Sequence, residues 1–598
     1  MATTIEVNKQ SVKQLLETGK EHPFVIPEYQ RPYAWGCDEV QTLFDDLWDF
    51  TTSEGGGTDG NSTYFLGTIV SYENEHGEQE IIDGQQRITS LFLLLRAIYT
   101  SLQRIPDKSK EAKNFISQIE PALWRTDKLT GEVNFADILL KSKVLNNEGN
   151  EILKKILATG VTDPKAKDNY SKNYIKLQTL FAEASKTNPL MIYEFIYVVL
   201  NKAIILPITA DTQDTALTIF STLNDRGLPL SDADIFKAKI YNHLSSDEKT
   251  EFINKWKELD ELAADVGESI QQLFYYYMFY LRAVEKDNNT TTPGIRKFYE
   301  GGENKYERLY QPELIDNLFV IVKLWSVVNK HEEYEDEKWT TDSDVLKALD
   351  ILSAYPNEFW KYPVIIFYLT HRNEEDFANQ FSKFLHKLIK ELLTKYLLAP
   401  TINAVKSDIL KLNVEIVSST SPKFDFKPID LAQLKDEIRT PHRNAVRMLL
   451  KILAYEKQDK LFPEKWEIEH IFPKKWQTNY FLNISDEVIS EKVEHLGNKL
   501  PFEKRLNIIA GNGYFKKKQK EYAKSEIAIT SSMSSLQFAD WGLDDIAERD
   551  VRVSDEIIAI LKRWDDEYRT ASIPNVESGL SEEERAMLEK FKQMGLVK

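Results

Sequence analysis

Glu469 and His470 stand side by side toward the C-terminal end of a 598-residue chain. An imidazole beside a carboxylate suits phosphodiester hydrolysis. That reaction needs a base to take a proton from water, oxygen ligands for a hard cation, and positive charge near the scissile phosphate. The segment WEIEHIFPKKW, from Trp466, supplies the first two, and HLGNKLPFEKRLNIIAGNGYFKKKQKEY, from His495, adds carboxamides at Asn498 and Asn507. Lys516, Lys517, Lys518 and Lys520, with Lys504 and Arg505, form the most concentrated basic stretch in the chain. On a helix they would line a phosphate path to DNA. WEIEHIF has strand character, and neighbours on a strand face opposite ways. The Glu-His pair therefore works as a unit only if the strand ends there and twists into a loop, an ending that Pro473 favours.

A second cluster is Asp83-Gly84-Gln85-Gln86-Arg87, between a β-rich run and an amphipathic helix. A strand, a glycine turn and a helix N-terminus make an anion site, because free N–H groups point outward and glycine lets the backbone come close. Arg87 adds a bidentate phosphate contact. Gln85 and Gln86 would orient a water or hold ribose or phosphate oxygens, and Asp83 would hold magnesium directly or through water. Two further groups join it: Gln30 and Arg31 among the aromatics of PEYQRPYAW, and Asn224 and Arg226 in FSTLNDRG, followed by SDADI, where Ser231 or Asp232 is a natural helix N-cap. No Walker P-loop competes with this reading.

E-H-I-x-P, then L-G-N, then an Asn nine positions on, then Phe and Lys on a helix, resembles the HNH or His-Me finger nucleases. More narrowly it resembles the C-terminal domain of the GmrSD family of modification-dependent type IV restriction enzymes. That resemblance implies a ββα-metal core holding Mg2+ or Mn2+. His470 would be the general base, Glu469 a metal ligand where Asp is common, and Asn507 the second ligand with Asn512 in reserve. Asn498 would brace the loop and orient the histidine, and Lys518 would contact phosphate. The chain departs from the pattern where the common LGNLTL reads LGNKLPF, so Lys499 and Pro501 are expected to alter the second strand. The three N-terminal clusters, in order from about Ile26 to Lys237, resemble the N-terminal domain of the same family, which is similar to the ParB/sulfiredoxin fold. This implies a nucleoside triphosphate with Mg2+, hydrolysed in step with DNA cleavage. The function so implied is a nucleotide-dependent DNA endonuclease of bacterial anti-phage defence. Two other readings stay open: a nucleotide-switched DNA-binding or regulatory protein with an inactive nuclease domain, and an RNA-directed nuclease toxin.

These residues need elements to hold them. PFVIPEYQ reads as a short strand, YFLGTIVSY and EQEIID as a hairpin around NEHGE, and QQRITSLFLLLRAIYTSL as a helix. AIILPIT is another strand with two short helices after it, residues 249–412 are almost wholly helical, and VSSTSPKF is a linker. The aromatic stripe QQLFYYYMFYLRA is expected as buried core or a subunit contact. At about 150 residues per domain the length suggests three or four domains. The expectation is an α+β multidomain chain: an α/β nucleotide-binding domain over 1–245, a helical connecting region over 246–424, a mainly helical domain with the nuclease core over 425–575, and a helical tail over 576–598. The net charge of −18 argues against loose coating of DNA while leaving room for a local basic patch. One cysteine, Cys37, and no apolar segment near 20 residues point to the cytoplasm, with no membrane partner. DNA, above all modified phage DNA, and a nucleoside triphosphate are the expected partners, with self-association left open.

Overall fold

The computed structural model describes residues 5–53, 56–58, 61–127, 129–144, 149–223, 231–430, 433–477, 484–537 and 540–571. Asn224, Arg226 and the tail expected over 576–598 lie outside the described residues. The chain divides into two compact units, Met1–Glu258 and Leu259–Lys598. Among the described residues, no helix is long and apolar enough to cross a membrane.

The first unit is built on a seven-stranded mixed sheet. Strands Tyr64–Glu73 and Ala203–Ala210 run parallel, and Gln79–Asp83 folds back antiparallel on the first of them. The hairpin forms where NEHGE places it: Asn74 Oδ1 accepts from the amides of His76 and Glu78, and Gly77 takes a positive φ of 72°. Phe24–Ile26 runs parallel to Gln79–Asp83, so the chain leaves both strands at the same end of the sheet. That single fact brings the Gln30-Arg31 loop to the DGQQR turn. The helix Gln85–Gln103 then runs through the core with Leu91 to Leu95 wholly buried, as a helix apolar on most faces must. Sequence pattern did not reveal the short strands Ile5–Val7, Gln10–Ser11 and Leu140–Ser142, or the hairpin of Trp124–Thr126 with Val133–Ile138. Each is only a few residues long, and the first three find their partners far along the chain, where local propensity carries no signal.

The second unit is helical from Ile270 to Ser418. In the aromatic helix Ile270–Val284, Tyr276 and Tyr277 are fully buried, as core. The segment read as a linker is packed rather than free. The Tyr568 hydroxyl donates to Pro422 O at 2.6 Å, and the Phe424 ring lies 5.4 Å from Tyr568 and 5.8 Å from Phe384. Phe424 fills the seam between helices Phe377–Leu398 and Leu543–Ala571, which the buried pair Lys387–Asp565 also joins. Residues on both sides of 424 therefore share one unit.

Strands Trp466–His470 and Lys499–Glu503 pair antiparallel, with His470 opposite Lys499 and Ile468 opposite Pro501. Pro501 is tolerated because a two-stranded ribbon is all edge. Helices Lys504–Ala510 and Phe515–Tyr522 follow. The long helix Leu543–Ala571 locks the turn before the second strand. Arg549 Nη1 donates to Gly497 O and Lys499 O at 2.7 and 2.9 Å, and the Asp550 carboxylate accepts from Gly497 N and contacts His495 Nδ1, both at 2.6 Å. A Cβ on Gly497 would press into the backbone of Ile546 and to 2.9 Å from the Asp550 amide nitrogen. Gly497→Ala should therefore destabilise the second unit by about 1–3 kcal/mol, read as a lower urea midpoint at unchanged slope. An unchanged midpoint would show that the helix is not seated on this turn.

Candidate functional site

A cavity of about 450 Å3 opens at the end of the hairpin. Glu469, His470, Asn507, Asn512 and Lys518 all line it. Asn498 does not reach it: the side chain has no exposed surface and holds the turn. Its Oδ1 accepts from Phe472 N at 2.7 Å, and its Nδ2 donates to Phe472 O at 3.0 Å and Val493 O at 2.9 Å. Its carbonyl also accepts from Ile471 N at 2.9 Å. A buried carboxamide satisfied on both ends fixes the backbone just after His470.

The strand ends at His470, and the Glu-His pair takes different partners. Glu469, 4% exposed, turns to the helix Phe515–Tyr522: its Oε1 meets Lys518 Nζ at 2.7 Å and the Tyr522 hydroxyl at 2.8 Å. Lys518 Nζ also donates to His470 O at 2.5 Å. Burial disfavours both charges, while their mutual attraction holds them as an ion pair. Lys518 is thus committed inside the fold, although it borders the cavity.

His470 turns the other way, its Nε2 lying 3.5 Å from Glu494 Oε2. Burial, with the charge of Lys474 nearby, pushes the imidazole down to about 4. Partial burial resists the ionisation of Glu494, but Lys474 at 2.9 Å and Lys499 at 3.0 Å hold it at about 2. At neutral pH the cavity thus presents an uncharged imidazole beside a carboxylate flanked by two ammonium groups.

Glu494, Lys474 and the exposed Arg443, which also lines the cavity, were not singled out by sequence, and Lys499 was noted there only for its effect on the second strand. Lys499 is directly opposite His470 in the ladder, so a predicted register would have found it. Arg443 comes from the chain just before the helix Val446–Tyr455 and leaves no local signal. Lys504, Arg505, Lys516, Lys517 and Lys520 are exposed on the two helices after the hairpin and do not line the cavity. Asn512, at the cavity rim, exchanges hydrogen bonds with the Lys475 backbone, 3.2 Å from its amide and 2.5 Å from its carbonyl.

In the first unit Gln30, Arg31, Asp83, Gly84, Gln85, Gln86 and Arg87 line one cleft of about 160 Å3, with Trp35, Phe220 and Asp234. Gly84 is the N-cap of the Gln85–Gln103 helix at φ 88°, and a Cβ there would lie 2.8 Å from Ile69 Cγ1. Only glycine fits both demands. Gln86 works on the neighbouring loop: its Oε1 accepts from Ala34 N at 2.7 Å and Trp35 N at 3.1 Å. Gln30 Nε2 donates to Ile82 O at 3.2 Å. Arg87 Nη1 donates to Thr68 O at 2.8 Å, and its guanidinium lies against Gly67, where a Cβ would come within 3.0 Å. Burial pushes the Asp83 carboxyl up against the pull of Arg87 and Arg31. Arg31 is exposed and shares the cleft, leaving its fork of donors for a ligand.

Among curated proteins none matches the chain. Two family models do. The N-terminal domain of the GmrSD restriction endonuclease matches residues 12–241, spanning the Arg31–Asp83 cleft, and the C-terminal domain of GmrSD restriction endonucleases matches residues 427–555, spanning the His470 cavity. With both domains present in order around their clefts, the chain belongs to the GmrSD family of type IV restriction endonucleases.

Proposed function

We propose that the protein hydrolyses a DNA phosphodiester in the His470 cavity and that a nucleoside triphosphate bound between Arg31 and Asp83 controls the reaction. As a member of its family it is a restriction endonuclease acting on DNA in defence against phage. The observation that carries the mechanism is geometric: the His470 imidazole, with Nε2 3.5 Å from Glu494 Oε2, lines the cavity that Glu469 and Asn507 also line.

His470 accepts the proton of a water as that water's oxygen attacks phosphorus, and the P–O bond opposite the attack breaks. Glu494, ionised beside the ring, stabilises the imidazolium that forms. Asn498 keeps the strand end in place, and Lys474 and Arg443 offer charge to the phosphate. The donor set fits a divalent cation. Glu469, whose carboxylate is shared with Lys518 and Tyr522, and the Asn507 carboxamide line the same cavity as hard oxygen donors, with Asn512 beside them although its Oδ1 already accepts from Lys475 N. Among the described residues no three His, Cys, Asp or Glu side chains cluster for a metal, so such an ion would rest on these few donors and on the phosphate itself. Bound Mg2+ or Mn2+ would supply Lewis-acid polarisation of the phosphate. In the first unit the helix N-terminus at Gly84, Arg31 and Arg87 offer donors for phosphate, and Trp35 an aromatic face.

His470→Ala should lower DNA nicking by about 100- to 10,000-fold with an unchanged unfolding midpoint; full activity in that variant would remove His470 as the base. Because the imidazole titrates near 4, it stays unprotonated, and competent, well below pH 6. Nicking should therefore hold to about pH 5 and fall only as the ring gains its proton; an acid limb centred near 6.5 would contradict this. Arg31→Ala should weaken binding of a fluorescent nucleoside triphosphate roughly tenfold, and unaltered affinity would place the triphosphate elsewhere.

A further inference from the structure

Ile508 and Ile509 lie next to each other in sequence with 71% and 53% of their surfaces exposed. They sit on the helix Lys504–Ala510, which also presents Asn507 to the His470 cavity. The only residue of that helix fully withdrawn from solvent is Ala510. The fold therefore keeps two large apolar side chains in water beside its candidate active site, against the tendency that drives such groups inward. Lys504 and Arg505 stand one turn before Ile508 and Ile509, on the same faces of the helix. Residues 504–520 hold six Lys or Arg and no Asp or Glu, in a chain whose net charge is −18. Lys516 and Lys517, on the next helix, are exposed as well.

An apolar pair alone would suit a protein partner. Framed by cations in an otherwise acidic molecule, and continuous with a cavity for phosphodiester chemistry, it suits a polyanion with an apolar interior. Duplex DNA is that ligand. Isoleucine is among the side chains that wedge between base steps while neighbouring lysines and arginines hold the phosphates. We propose that Ile508 and Ile509 form a wedge that enters the duplex beside the scissile phosphate, unstacks one base step and swings the strand into the His470 cavity. The proposal rests on the His470 cavity being the nuclease site. Because unstacking is easiest at pyrimidine–purine steps, cleavage should favour TA and CA/TG steps.

The test uses the full-length protein and the double variant I508S/I509S, whose exposed positions leave the core untouched. Two substrates are compared with Mn2+ and mixed nucleoside triphosphates: a short duplex with 2-aminopurine at a TA step, and the same duplex with a one-base bulge there, which is already unstacked. The bulged-to-plain cleavage ratio should rise roughly tenfold or more in the variant. The 2-aminopurine fluorescence increase on binding, measured with H470A as the non-cleaving parent, should vanish in H470A/I508S/I509S. An unchanged ratio with an unchanged fluorescence increase overturns the wedge. So does a fall in sedimentation mass in the double variant, which would assign the patch to contacts between copies. Hydrolysis of bis(4-nitrophenyl) phosphate by the wild type separates the two layers: if it and both duplexes stay intact, the nuclease reading fails, and the fluorescence change alone decides the wedge.

Discussion

A carboxamide with no exposed surface holds the hairpin together at the end where the chemistry is placed. Asn498 binds the backbone on both sides of Phe472 and reaches Val493, so the strand that carries His470 and the turn that precedes the second strand move as one body. Burying an amide is costly unless every end is satisfied, and here the satisfied amide leaves one geometry for the chain after His470. Its own turn is fixed from outside. Arg549 and Asp550, on a helix about fifty residues later, grip Gly497 and Lys499. The direction of the His470 side chain thus depends on contacts that begin half a hundred positions away in sequence.

The Arg31–Asp83 cleft of the first unit repeats the device with a different amide. Gln86 is a side chain of the DGQQR motif, yet its carbonyl oxygen is taken by the amides of Ala34 and Trp35. It joins the two loops that parallel strands deliver to one end of the sheet. In both units, polar residues that a motif would count as ligand-binding are used to hold the backbone, and the groups lining each cleft for a ligand are fewer: Arg31, Arg87 and the helix N-terminus in one, His470, Glu469, Asn507, Lys474 and Arg443 in the other.

Much of this was legible in the sequence for a physical reason. The strand before DGQQR, the glycine that must turn it, the hairpin around NEHGE and the strand ending at His470 are all specified by residues within a few positions of each other. The role of Lys518 was not visible in the lysine run, because FKKKQKEY looks uniformly basic. The helical phase distinguishes it: Phe515, Lys518 and Tyr522 fall at i, i+3 and i+7 on the buried stripe, whereas Lys516, Lys517 and Lys520 point to solvent. The pairing of His470 with Glu494 and the approach of Arg443 depend on tertiary packing alone, and no spacing rule announces them. The segment expected as a linker over 417–424 packs instead, because the Phe424 ring finds a seam between helices to fill.

We propose above that Asn507 and Glu469 hold a divalent ion in the cavity that His470 lines. Manganese binding to the nucleotide-free protein, followed by electron paramagnetic resonance, tests it without relying on any DNA substrate. A bound Mn2+ signal should disappear in Asn507→Ala and persist in Asp83→Asn. Equal Mn2+ binding by the wild type and Asn507→Ala, or none by either, would contradict it.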